Sequence, residues 1–188
     1  MRYILASKSP RRKDLMKFIS SDFLVAVEDI NEDISYNLSP IDAVKDIALR
    51  KGEAVYQSFP SDLVISADTI VVIDNKIIGK PTDEKDAYRI LKMLSGRTHY
   101  VYTGYAIHYL NKNIVNYVKS EVIFNELSDE LINSYIKSGS PMDKAGAYGA
   151  QDSDHRYPII KNIIGSYDNV IGFPVKEIKE DIDRILKK

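Results

Sequence analysis

The chain has 188 residues, 44% hydrophobic and 28% charged, with 26 Lys+Arg against 27 Asp+Glu for a formal charge of −1. That length supports one globular domain able to bury about 70% of its unfolded surface without a staple. The absence of Cys excludes disulfides, thiolate zinc sites and a cysteine nucleophile and fits a cytoplasmic location. The near-zero charge with interspersed signs argues against a nucleic-acid footprint.

The chain opens with an apolar strand at residues 3–6, too short for a signal h-region, and no later stretch reaches the roughly 18 apolar residues of a membrane span. Ser9 as N-cap and Pro10 in the first turn start a helix whose inner side carries Leu15, Met16 and Ile19. Residues 23–27 read as a strand. Ser39-Pro40 opens a second helix with Val44, Ile47, Ala48 and Val55 at helical spacing. A β-rich block follows: residues 63–67 and 69–73 around Asp68, a turn at Asp74-Asn75, and residues 76–78. Asp83 caps a helix striped with Ala87, Ile90, Leu91 and Leu94, which ends at Ser95-Gly96. Strands over residues 98–110 and 114–124 flank a turn at Asn111-Lys112-Asn113. A helix over 128–137, a Gly- and Pro-punctuated stretch over 139–149, a strand over 159–164 and a terminal helix from about Val175 complete the chain. No repeat or linker interrupts it, so the expectation is a single α/β domain over 1–188 with a mixed sheet.

Three places can carry chemistry. Ser7-Lys8-Ser9-Pro10-Arg11-Arg12 follows a strand and opens a helix, where backbone N–H groups, the helix dipole and guanidinium forks favour phosphate. The same string also serves as an ordinary cap with two solvated arginines. Asp68 lies inside an apolar strand run, where a carboxylate must be paired or lie at a strand end facing a cleft; it reads as a metal ligand or general base, or as a buried partner of a backbone N–H or a nearby Lys. Gly79-Lys80-Pro81 resembles a P-loop end, but Pro81 stands where Ser or Thr is needed, which excludes Walker-type binding. The third cluster runs from Met142 to Gln151, where close glycines admit backbone to a ligand and Lys144 and Gln151 offer donors. His99, His108 and His155 lack metal-ligand spacing and read as structural or solvated.

The strings Leu5-Ala6-Ser7-Lys8-Ser9-Pro10-Arg11-Arg12, Ser66-Ala67-Asp68-Thr69, Gly79-Lys80-Pro81, Leu94-Ser95-Gly96-Arg97-Thr98-His99, Met142-Asp143-Lys144-Ala145-Gly146-Ala147-Tyr148-Gly149 and Gly165-Ser166-Tyr167 occur in order. Together they resemble the Maf family of nucleoside triphosphate pyrophosphatases over nearly the whole chain. The resemblance implies a mixed twisted sheet flanked by helices, with a deep cleft, similar to ITP pyrophosphatases. It implies hydrolysis of a nucleoside triphosphate to the monophosphate and pyrophosphate with a divalent cation, Mg, Mn or Co. Carried over by motif, Asp68 is the proton acceptor, Glu32 a second acid near the metal, and Lys51 and Lys80 phosphate ligands with Ser7 and Arg12. Ala67-Asp68-Thr69 and Gly149-Ala150-Gln151 resemble the subfamily acting on dTTP and UTP, with selectivity assigned to Arg11, Thr69 and Gln151. The chain departs from the family pattern at Gly52, Ala150, Asp152 and Phe173, and Asp152 adjoins the base-reading Gln151. Specificity for 7-methyl-GTP or ITP, a non-enzymatic nucleotide-sensing role in septum formation, and a homodimer stay open.

Overall fold

The computed structural model describes residues 1–33 and 38–187. Its strands are β1 (Tyr3–Leu5), β2 (Phe23–Val25), β3 (Leu63–Ile73), β4 (Lys76–Ile78), β5 (Thr98–Tyr109), β6 (Lys112–Phe124) and β7 (Ile160–Ile164). The helices are α1 (Pro10–Met16), α2 (Pro40–Tyr56), α3 (Glu84–Leu94), α4 (Asp129–Lys137), α5 (Tyr167–Ile171) and α6 (Val175–Lys187). The seven strands make one mixed sheet in the order β2-β1-β3-β5-β6-β7, with β4 paired to β3. This is the α/β class expected from the sequence.

The chain divides into two compact units, one made of Met1–Thr69, Thr103–Val118 and Gly172–Lys188, the other of Ile70–Tyr102 and Lys119–Ile171. In the first unit β1 runs parallel to both β2 and β3, pairing Ile4 with Leu24 and Val64. Parallel neighbours need a crossover, and α1 and α2 supply it. Both helices start as their Ser-Pro strings dictate: Ser9 accepts from the Arg12 N–H and Ser39 from the Asp42 N–H, each with Pro in the first turn. α2 buries Ala43, Val44, Ile47, Ala48, Gly52 and Val55, so the apolar stripe read from the sequence is its inner face. Helix α1 stops at Met16, three residues before Ile19, and the Ile19 N–H closes a tighter turn on the Met16 carbonyl at 2.9 Å.

In the second unit Asp74 and Asn75 both take left-handed φ, 51° and 58°, the geometry of a two-residue turn that lets β4 fold back antiparallel on β3. Its core gathers Val71, Ile73, the α3 stripe Ala87, Ile90, Leu91 and Leu94, and the rings of Phe124, Tyr135 and Tyr148. Three short 3₁₀ turns, Ser140–Asp143, Ala145–Ala147 and Ala150–Asp152, occupy the stretch that the sequence marks only as Gly- and Pro-rich. The long hairpin turns one residue earlier than expected. Leu110 and Asn111 take the positive φ values, 45° and 60°, and Lys112 already belongs to β6.

Among the described residues no helix is long and apolar enough to cross a membrane. His99 and His108 are buried and His155 is exposed, as structural and solvated histidines should be.

Candidate active site

Most of the residues singled out from the sequence meet in the first unit. Asp68 is in mid-strand on β3, where it and Thr69 are the two half-buried positions of an otherwise buried run. The Lys51 ammonium, carried by α2, lies 2.8 Å from Asp68 Oδ1 and 2.8 Å from Glu32 Oε2. The Asp68 side chain keeps 14% of its surface and that of Lys51 17%, while Glu32 is 60% open. Two carboxylates thus converge on one positive charge, and the inner pair is largely shielded from water, where an unpaired ion would be costly.

A second set surrounds Arg12. Its Nη1 donates to Ser7 Oγ at 3.3 Å, its Nη2 to Thr69 Oγ1 at 3.1 Å and its Nε to the Gly172 carbonyl at 2.9 Å. Ser7 Oγ also accepts from the Ser9 N–H at 3.3 Å, and Thr69 Oγ1 lies 2.9 Å from Thr103 Oγ1. Burial lowers the Arg12 pKa and neighbouring Arg11 adds to that, whereas Asp68 and Glu32 oppose it. A guanidinium nevertheless stays charged at neutral pH, so the unit holds a fixed cation beside two acids.

Sequence reasoning missed two participants. Gly172 has φ 112°, and a Cβ there would come 2.9 Å from Thr69 Oγ1, so the chain needs glycine at that point. The Ile-Gly-Phe-Pro string before the last helix was the available signal. Thr103, fully buried on β5, has no local sequence mark at all.

The remaining predicted residues belong to the second unit. Lys80 is exposed at the end of the β4 segment, and the adjacent Gly79 carbonyl accepts the Gly146 N–H at 3.0 Å. The Gly-Lys-Pro string and the Met142-to-Gly149 string are therefore neighbours. Gln151 is exposed on the last 3₁₀ turn. Lys144, expected as a donor to substrate, is 11% exposed and directs its ammonium to the Ser140 carbonyl at 2.6 Å, Ser140 Oγ at 3.0 Å and Asp143 Oδ1 at 2.8 Å.

A family model described as Maf-like protein matches residues 2–185. The chain belongs to the Maf-like family. A relative named dTTP/UTP pyrophosphatase from Bacillus cereus (strain B4264) is 43% identical over 185 residues, covering 96% of both chains. One of the same name from Bacillus cytotoxicus is 40% identical over 181 residues, covering 96% of this chain and 94% of its own. In architecture this Maf-like chain is similar to the Staphylococcus aureus Ham1 protein, with a TM-score of 0.54 at 11% identity over 98% of this chain and 100% of that one. The HAM1 protein from Coxiella burnetii gives 0.53 at 13% identity over 100% and 98%. These two likenesses concern the fold, and they accompany the mixed sheet flanked by helices that the motifs implied.

Among the described residues no group of three or more His, Asp or Glu side chains is arranged to hold a metal. Glu32 and Asp68 are nevertheless oxygen donors already gathered around one cation, the Lys51 ammonium. Such a donor pair fits a hard divalent ion that keeps most of its shell as water and phosphate oxygens.

Proposed function

We propose that the chain hydrolyses nucleoside triphosphates, dTTP and UTP foremost, to the monophosphate and pyrophosphate. The observation that carries this reading is the mid-strand carboxylate of Asp68, held 2.8 Å from Lys51 in a strand whose other positions, Thr69 apart, are buried. The name of the relatives at 40% identity and above supports the same reaction.

In this reading Asp68 takes the proton of the attacking water. A new P–O bond forms as the α–β bridging P–O bond breaks, and the electron pair leaves with pyrophosphate. A triphosphate brings about four negative charges, which Arg11, Arg12, Lys51 and Lys80 offset electrostatically. Ser7 and Thr69 contribute hydroxyls, and Arg12 holds both in place. Glu32 and Asp68 are the residues that would hold Mg, Mn or Co. The ion would supply charge neutralisation at the phosphates and a more acidic water.

We assign the base edge to Gln151. Uracil and thymine present acceptor, N–H donor and acceptor in a row, and one amide offers a donor and an acceptor to O4 and N3–H. Cytosine inverts that pattern, so the amide orientation that suits uracil sets donor against donor and acceptor against acceptor. UTP and dTTP should therefore exceed CTP by roughly ten- to a hundredfold in kcat/KM.

The test is a panel of common triphosphates assayed with each of the three metals, detecting phosphate after added inorganic pyrophosphatase. Pyrophosphate release from UTP and dTTP is expected. No turnover of any nucleotide with any metal would overturn the enzyme, and equal use of UTP and CTP would overturn the base assignment.

A further inference from the structure

We propose that Asp152 is a positioning residue for Gln151: its carboxylate clamps the last 3₁₀ turn to helix α4 and so fixes where the base-reading amide stands. The inference rests on the assignment of Gln151 to the base edge.

The clamp lies wholly within the second unit. Asp152 Oδ2 accepts from Tyr135 Oη at 2.6 Å and from Ser140 Oγ at 2.6 Å, and the Lys144 ammonium stands 3.8 Å away. The Tyr135 hydroxyl in turn accepts the Gly149 N–H at 3.0 Å. One phenol on α4 therefore ties both ends of the turn, the backbone of Gly149 and the side chain of Asp152. The turn also closes on itself, since the Asp152 N–H donates to the Gly149 carbonyl at 3.1 Å.

Hydrogen-bond direction is fixed as well. Burial, with Asp152 adding to it, pushes the Tyr135 phenol far above its usual range, so it stays protonated, gives its only proton to the carboxylate and receives the amide. The fit is close enough that a Cβ on Gly149 would come 2.7 Å from Asp152 Oδ2 and 2.8 Å from Lys144 Cε. Ala150 is buried beside it. Gln151 is the outward residue of a segment pinned on both sides, so its side chain starts from a backbone with little freedom. An amide read in two places at once depends on such placement, because a displacement of about 1 Å already degrades a positioned contact. Lys144, by neutralising the clamp, acts on the same segment.

The experiment measures kcat and KM for UTP and CTP in Asp152→Ala, Asp152→Asn, Tyr135→Phe and Gln151→Ala, and in the Asp152→Ala/Gln151→Ala double variant, with thermal melts to verify folding. Asp152→Ala should lower the UTP/CTP ratio of kcat/KM by roughly tenfold, mostly through KM for UTP. Tyr135→Phe should act in the same direction. Asp152→Asn retains an acceptor oxygen for both hydroxyls and should keep the ratio within about twofold of the parent. In the Gln151→Ala background the Asp152 change should alter the ratio no further, which is the non-additivity expected of one residue acting through another. An unchanged ratio in a folded Asp152→Ala enzyme, or a further fall in the double variant, overturns the clamp while leaving the base assignment in place. An unchanged ratio in Gln151→Ala overturns the base assignment, and the clamp as a selectivity device falls with it. If Asp152→Ala does not fold, Ser140→Ala removes one of the two hydroxyl donors and serves as the milder variant, with a lowered ratio supporting the clamp and an unchanged one overturning it.

Discussion

Asp68 and Lys51 define each other chemically. The ammonium pairs with the carboxylate in a largely buried strand, and the carboxylate holds the ammonium beside the proposed phosphate site. General-base removal costs 10²–10⁴-fold, so Asp68→Ala should lose at least about 100-fold in kcat. A loss confined to KM would make Asp68 a binding group. Asp68→Asn separates catalysis from nucleotide sensing: hydrolysis should disappear while nucleotide affinity, measured by calorimetry, stays close to the parent. Lys80, exposed and unlike Lys51 in having no ion pair among the described residues, is proposed to meet charge that grows on the leaving pyrophosphate. Lys80→Ala should raise KM and lower kcat together, and an unchanged enzyme would remove Lys80 from the site.

Helix α2 can carry Lys51 to Asp68 because two glycines let the surrounding elements approach. A Cβ on Gly104 of β5 would collide with the Val44 carbonyl and come 2.9 Å from the Lys45 nitrogen, backbone atoms of α2 that cannot turn aside. A Cβ on Gly52 would come 2.6 Å from Ser66 Oγ and 2.8 Å from the His108 ring. Ser66 is itself held by the Ala48 carbonyl at 2.6 Å. Glycine inside a strand marks such close approach, and overpacking costs about 1–3 kcal/mol. Gly104→Ala should therefore destabilise by the upper end of that range in urea unfolding and Gly52→Ala by less, since side chains can shift. Gly79→Ala, with nothing within 4 Å of its Cβ, should change stability least and serves as the control.

At the scale of the folded chain, His99 makes stability pH-dependent. Its Nε2 lies 2.7 Å from the Tyr148 hydroxyl, its ring packs edge-on against Phe124, and burial lowers its pKa from 6.5 to about 4. The folded state thus resists a proton that the unfolded chain accepts. Stability contributed by the neutral ring is complete above the unfolded pKa and is lost as pH falls from 6.5 towards 4, by up to about 3 kcal/mol. Melting temperature recorded across that interval should fall for the parent and fall less for His99→Gln. Parallel curves would show that other groups carry the acid sensitivity.

Adjacent residues settle a good deal of this protein. Ser39-Pro40 starts α2, Asp74-Asn75 supplies two left-handed φ values, the stripe Ala87, Ile90, Leu91 and Leu94 faces a core, and the ordered motif strings carry the family. Each is a short-range preference of backbone or capping chemistry, so the sequence displays it directly. The functional groupings are of another kind. Lys51 bridges Glu32 and Asp68, 19 and 17 residues away, and Arg12 holds Thr69 and Gly172 across 57 and 160 residues. Tyr135 reaches Asp152 across 17. Thr103 and Gly172 escaped notice because their partners Thr69 and Arg12 are 34 and 160 residues away, and side chains distant in sequence meet only after strand register and helix packing are fixed. A strand or cap forms from preferences that neighbouring residues already hold, whereas a hydrogen bond needs its partner within about 3 Å, and only the folded chain brings distant partners that close.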